Sequence, residues 1–204
     1  INFVLNRIIE TFGLVILIIG ILLAISLITY SPDDPSYIFP ENTIIKNVLG
    51  FQGSFTADLF FQSLGLISLL VPLSFFSTGI IIILYKKVFI IIKSIFFVIL
   101  YSLFGSLFFS YYYSTTFKLY VNGNGGFVGK YLDTTFLNFF IKFNPQLFYY
   151  VILLLILTFF LLSIHFKIHF FYKLIKNIFK FFFLKKEKNY TNKNEVINEF
   201  IPQD

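Results

Sequence analysis

With 204 residues, 57% of them hydrophobic, 13% charged and 22% aromatic, this chain carries more apolar surface than one small water-soluble core can hide. That excludes a soluble globular domain and points to an all-α integral membrane protein. A net charge of +6 is concentrated late in the chain, and the absence of Cys excludes a disulfide framework or a thiolate metal site. Because the chain opens on Ile1 and holds no Met, its numbering is expected to begin inside a longer product.

The first charge-free run, Thr11 to Tyr30, follows Arg7 and Glu10 and is long enough to span a bilayer. A secretory signal shares a positive start and an apolar run, but this run is longer than such a core and Tyr30-Ser31-Pro32 lacks the small residues of a cleavage site. The run is read as a retained helix. Residues 31–58 then carry prolines, glycines and acids. Ser31, Asp34 and Phe39 each precede a proline, which forces extended or turn geometry. Ile44 to Leu49 reads as a short surface helix, with Gly50 and Gly53 turning into the next span and Asp58 at the water boundary, facing the positive end of a helix dipole.

Leu59 to Tyr85 is the longest uncharged run, and everything else is arranged around it. As a helix it is about 40 Å long against a hydrocarbon core of about 30 Å. Pro72 near its middle predicts a kink, with Ser68, a neighbouring helix or a local adjustment satisfying the freed carbonyl. Lys86, Lys87 and Lys93 separate it from a third run, Ser94 to Ser114. A polar loop with Gly123, Gly125, Gly126 and Gly129 follows, then an amphipathic segment over Phe127 to Phe143 and a fourth run, Leu147 to Phe166.

Lys and Arg counts in the flanks give twelve on the side of Arg7, the middle loop and the tail, against four in the two other loops. By the excess of positive charge inside, both termini are expected in the cytoplasm. A fifth apolar stretch, His165 to Leu184, holds Lys167, Lys173, Lys176 and Lys180, too many for cheap insertion. Lys173, Lys176 and Lys180 share one helical face with His169, so 167–184 reads as a basic amphipathic helix lying on anionic lipid. Nucleic-acid binding by the same Lys and Phe residues is the weaker alternative, since the phenylalanines continue a span. Residues 185–204 read as the start of a polar linker, leaving 1–166 as the four-span domain with helices about 11–30, 59–85, 94–114 and 147–166.

Catalytic, cofactor and metal motifs are not found. GNGGFVGK (123–130) resembles a phosphate loop, but Asn124 stands where its first Gly belongs and Tyr131 where a Ser or Thr is needed; a glycine turn explains it. His165 and His169 lack a third ligand nearby, Asp33 and Asp34 diverge as turn carboxylates, and Asn189-Tyr190-Thr191 falls on the inner side, where a glycosylation motif carries no weight. The four runs contain no ionisable carboxylate, Lys or Arg, which disfavours a transporter or proton channel. Gly13, Gly20 and Ala24, with Gly65 and Gly79, suggest close helix contacts and assembly.

YSPDDPSY (30–37), followed by NVLGFQGSFTADLFFQSLG (47–65), resembles the amino-terminal membrane domain of the FtsK/SpoIIIE family of bacterial DNA translocases. Ser31, Asp34, Pro35, Ser36, Asn47, Gly50, Gly53, Ala57, Asp58, Phe61, Gly65 and Pro72 match the family pattern, and Gly125, Gly126 and Gly129 look like its second-loop glycine motif. Tyr37 stands where the family often has Trp. The resemblance implies a membrane anchor for a hexameric, ATP-driven DNA pump at the division septum of the inner membrane, with cell-division proteins as partners and DNA and ATP met only by a motor absent from this chain. A self-contained carrier or permease subunit is the alternative from another class, and a membrane scaffold without a motor is a third.

Overall fold

The computed structural model describes residues 2–35, 44–114, 122–135 and 141–166. Ser36, the basic stretch with Lys173, Lys176 and Lys180, His169 and the linker lie outside the described residues. The chain forms α1 (Asn2–Ile28), α2 (Gly50–Leu64), a 3₁₀ segment (Gly65–Leu70), α3 (Val71–Tyr85), α4 (Ile90–Tyr112), α5 (Gly126–Asp133) and α6 (Pro145–Ser163). Among the described residues four helical stretches are long and apolar enough to cross a membrane: Phe3–Ile28, Gly50–Tyr85, Ile90–Tyr112 and Pro145–Ser163. The protein is an all-α, multi-pass membrane protein.

The helices extend beyond the uncharged runs. Arg7 and Glu10 lie on α1, Lys93 lies in the first turn of α4, and Asp58 lies within α2, so the helices themselves are not free of charge. Salt bridges explain the first pair: Glu10 holds Arg7 at 2.6 Å and Lys86 at 3.0 Å. This second bridge brings the start of α1 beside the end of α3. At the same end Ser94 Oγ donates to the carbonyl of Ser163 (2.9 Å), so the described chain starts and finishes together. We call this the basic end, and the opposite one the loop end.

α1 and α3 pack backbone against backbone. A Cβ on Gly79 would sit 2.7 Å from Leu17 N, and one on Gly20 would sit 2.8 Å from Phe76 N. Gly13, Gly20 and Gly79 thus serve contact within one chain, while Gly65 meets the second loop. Leu23, Leu27, Ala57, Phe61, Ile67, Val71 and Tyr101 form one core cluster, and Leu107, Phe108, Ile141 and Ile152 form another.

The long second run breaks where the sequence did not predict. Instead of a kink at Pro72, the helix changes to 3₁₀ at Gly65, and Pro72 sits in the first turn of α3, where a missing N–H costs little. The Ser68 carbonyl, which Pro72 cannot bond, accepts from Val71 N–H, and Ser68 Oγ donates to the Gly65 carbonyl (2.7 Å). Upright, the 36 residues Gly50–Tyr85 would measure about 54 Å, far beyond a bilayer core. The 3₁₀ segment divides this stretch into α2 and α3.

Two further expectations change. Ile44 to Leu49 forms no helix but coil and turn, because its backbone donors go to side chains instead of to one another. Among its described residues the predicted amphipathic segment 127–143 gives α5, ended by a turn at Thr134 and Thr135, and helix at 141–143. α6 is capped by Asn144, whose Oδ1 accepts from Leu147 N–H (3.1 Å), with Pro145 at its first position. It ends where His165 adopts φ 53°, so the helix does not run on through His165.

Candidate functional site at the loop end

Most motif residues converge at the loop end, where they tie two loops to the helix ends. Asp34 is buried, and its carboxylate accepts the backbone N–H groups of Lys46 and Asn47, both at 2.8 Å. Asp33 pairs with the Lys46 ammonium at 2.9 Å on the exposed side. The two acids do diverge: one closes the loop inside, the other outside.

Asn47 is the next link. Its Nδ2 donates to the Ser26 carbonyl of α1 (2.9 Å), and its Oδ1 accepts from Leu49 N–H (3.1 Å). Ser26 Oγ donates in turn to the Gly53 carbonyl (2.6 Å), and Ser54 Oγ to the Pro35 carbonyl (2.9 Å). Gly53 must be Gly, since a Cβ there would overlap Asn47 Oδ1. Ala57 behind it is fully buried, where a larger side chain has no room.

Asp58 is not at a helix start in water. It is the ninth residue of α2, buried, and its Oδ1 accepts from the Tyr30 hydroxyl (3.3 Å) and from Gln62 Nε2 (3.4 Å). Tyr30 also packs on Phe61, ring centres 4.7 Å apart. Gln62 passes the connection to the second loop: its Oε1 accepts from Asn122 N–H and its carbonyl from Asn122 Nδ2, both at 3.2 Å.

The second loop grips the helix break itself. Gly65 has φ 76°, which leaves Leu66 N–H without a helical partner, and the Asn124 carbonyl accepts it at 2.9 Å. Asn124 Nδ2 donates to the Tyr113 carbonyl. Gly126 lies so close to Gly65 that a Cβ would be 2.6 Å from Gly65 N, and Gly125 and Gly129 rest on Ser106 and Ser110 of α4. The glycine-rich stretch is thus a turn into α5, as the sequence indicated, packed closely against α4 and the end of α2.

Of the remaining motif positions, Ser31 is half-buried, Gly50 starts α2 with φ 66°, and Pro72 is buried under Gly20. Sequence reasoning missed Ser26, Tyr30, Ser54, Gln62, Asn122, Asn124 and Ser106. The available signal was polar side chains lying inside or beside apolar runs. In chemical terms the cluster is architectural: both buried carboxylates are committed to hydrogen bonds, and among the described residues no three His, Cys, Asp or Glu side chains converge.

A second polar cluster lies toward the basic end. Ser74 Oγ meets Tyr101 Oη at 3.1 Å and Ser163 Oγ at 2.7 Å, and Thr78 Oγ1 bonds Ser94 Oγ. These bonds join α3, α4 and α6. Within lipid such hydroxyls fasten helices because they have no water to turn to.

This architecture coincides with a family pattern: residues 6–175 match the 4TM region of DNA translocase FtsK/SpoIIIE. The chain belongs to the FtsK/SpoIIIE family, as its amino-terminal membrane domain. DNA translocase FtsK of Rickettsia typhi is 36% identical over 62 residues, covering 30% of this chain and 8% of that protein. DNA translocase FtsK of Rickettsia prowazekii is 33% identical over 67 residues, covering 33% of this chain and 9% of that protein. The aligned part is thus under a tenth of the length of each of these FtsK relatives. No solved structure matches the chain. The FtsK motif residues named from sequence fall, where described, mainly in the loop-end knot.

Proposed function

We propose that this chain is the membrane anchor and oligomerisation domain of an FtsK-type DNA translocase, placed at the division septum of the bacterial inner membrane. Both termini face the cytoplasm, and the loop end faces outward, where septal proteins reach it. The family match over residues 6–175 carries this reading. DNA and ATP are partners only of a motor outside these residues, and copies of the domain bring motors together as a ring, a hexamer by family resemblance. Residues 167–184, with Lys173, Lys176 and Lys180, would lie on the inner leaflet ahead of the linker.

The buried geometry supports an anchor over a carrier. The hydroxyls joining α3, α4 and α6 bond one another, and the crevice between α4 and α6, lined by Leu107, Ile141, Phe148 and Ile152, is wholly apolar. Neither offers a polar path through the bundle.

A fluorescent protein fused after Asp204 tests placement and orientation together. The expected result is bright fluorescence gathered at the constriction of dividing cells. Uniform fluorescence around the membrane would remove the septal role, and a dark fusion whose alkaline-phosphatase counterpart is active would reverse the orientation.

A further inference from the structure

We infer that α2 and α5 lie in the membrane surface at the loop end, their aromatic faces buried among the lipids of that leaflet. The first observation is depth. Gly53 in the first turn of α2 bonds Ser26 in the last turn of α1, and Asp58 further along bonds Tyr30, two residues past the end of α1, so the first half of α2 lies beside the end of α1. α5 is placed likewise, since Gly125 and Gly129 rest on Ser106 and Ser110 near the end of α4. Tyr112 and Tyr149 stand at the same end, in the manner of an interfacial aromatic belt.

The second observation is the division of each outward face. At about 100° per residue, Phe51, Phe55 and Leu59 occupy an arc of about 80°, and Gln52, Ser63 and Thr56 occupy the arc beside it. Elsewhere on α2 residues are buried, Asp58 among them, or half-buried like Phe60 and Leu64, and Gln62, at the far end of the aromatic arc, is buried against Asn122; the exposed face carries no charge. α5 repeats the arrangement, with Phe127 and Tyr131 exposed and Lys130 and Thr134 alongside. In both helices the aromatic pair is stacked, 6.4 Å between Phe51 and Phe55 and 6.5 Å between Phe127 and Tyr131. Phe51, Leu59, Phe127 and Tyr131 remain 52%, 54%, 62% and 64% exposed, large apolar side chains that water disfavours.

A helix with an apolar strip, a polar strip and a protein-bound side suits the boundary between acyl chains and headgroups. In that placement the change to 3₁₀ at Gly65 is where the interfacial part, α2, passes into the spanning part. Which leaflet this is rests on the orientation proposed above; burial in lipid does not.

The chain contains no Trp, so Phe51→Trp, Leu59→Trp and Phe127→Trp each report one position. The 204-residue chain would be placed in phosphatidylcholine vesicles whose lipids carry bromine either near the headgroup or near the chain end. Emission from all three variants should be lost most strongly to the shallow bromines and should resist aqueous acrylamide. Ile99→Trp, mid-way along α4, should respond most to the deep bromines and reports that the bundle is inserted. Quenching of the three by acrylamide while Ile99→Trp behaves as expected would place the faces in water and overturn the inference. Protection from both quenchers that disappears as protein is diluted into more lipid would assign the face to a second copy, and would overturn it equally. Reversal of the reporter fusions alone would change only the leaflet.

Discussion

The carboxylate of Asp34 accepts the backbone N–H of Asn47 at 2.8 Å, thirteen residues along the chain, while its other oxygen holds Lys46 N–H. Asn47 is buried against α1 and Gly53, so this one side chain fixes where the first loop crosses the bundle. Asp34→Ala would leave two donors unpaired, and hydrogen bonds to a charged acceptor contribute about 1.5 to 3 kcal/mol each. The expected loss is about 3 to 6 kcal/mol, read as a large drop in thermal stability of the detergent-solubilised domain, with Asp34→Asn losing less because it keeps one acceptor. Asp33→Ala, which breaks only an exposed ion pair, should change stability by less than about 1 kcal/mol. Equal effects from the two positions would contradict the buried role of Asp34.

Gly65 separates two costs that glycines often combine. Its φ of 76° strains any side chain, and a Cβ there would also overlap the Asn124 carbonyl oxygen, which Leu66 N–H needs. Gly123 has a similar φ of 72° with nothing within 4 Å of a Cβ. Gly123→Ala should therefore cost only the left-handed penalty, about 1 to 2 kcal/mol. Gly65→Ala should cost clearly more and should detach the second loop, exposing residues near Asn124 to limited proteolysis. Indistinguishable melting curves would mean that the contact with Asn124 contributes nothing.

The spans were legible in the sequence because lipid tolerates few charges, so Thr11 to Tyr30, Leu59 to Tyr85, Ser94 to Ser114 and Leu147 to Phe166 stand out as uncharged runs. Helix ends were not. Arg7 and Glu10 stay on α1 because Glu10 bridges to Lys86, a partner 76 residues away. The break was misplaced for a similar reason: Pro72 is a strong local signal, yet a proline in a first turn does no harm, and the change of path at Gly65 depends on Asn124, far off in sequence. Asp58 looked like a boundary charge because its shelter, Tyr30 and Gln62, comes from folding. Family resemblance identified Asp34, Asn47 and Gly53, but only their shared contacts explain why those residue types are required there.

Gly79 tests the α1–α3 seam. A Cβ there would lie 2.7 Å from Leu17 N and 2.8 Å from the Gly13 carbonyl oxygen, and backbone cannot move aside as a side chain can. Gly79→Ala should destabilise the domain by about 1 to 3 kcal/mol, the usual range for overpacking. In the chain without native Cys, a single Cys at Gly20 should give no intermolecular disulfide, because that position faces α3 of the same chain. A Cys at Leu154, 62% exposed on α6, is the better reporter of oligomers. A disulfide-linked dimer through Gly20→Cys would show that the seam opens to a second copy.

The hydroxyl cluster makes a quantitative case for pairing within the membrane. Ser74 Oγ and Ser163 Oγ lie 2.7 Å apart and join α3 to α6, two helices with little other contact. Ser163 Oγ also donates to the Phe160 carbonyl, so it keeps a local partner when Ser74 is removed. A cycle of Ser74→Ala, Ser163→Ala and the double variant should therefore yield a coupling energy near the membrane average of about 0.6 kcal/mol, and no more than about 1.7. Reversible unfolding in mixed micelles measures all four species. Zero coupling would mean that the two hydroxyls only share a neighbourhood, with Tyr101 and the Ser94–Ser163 bond holding α6 in place instead.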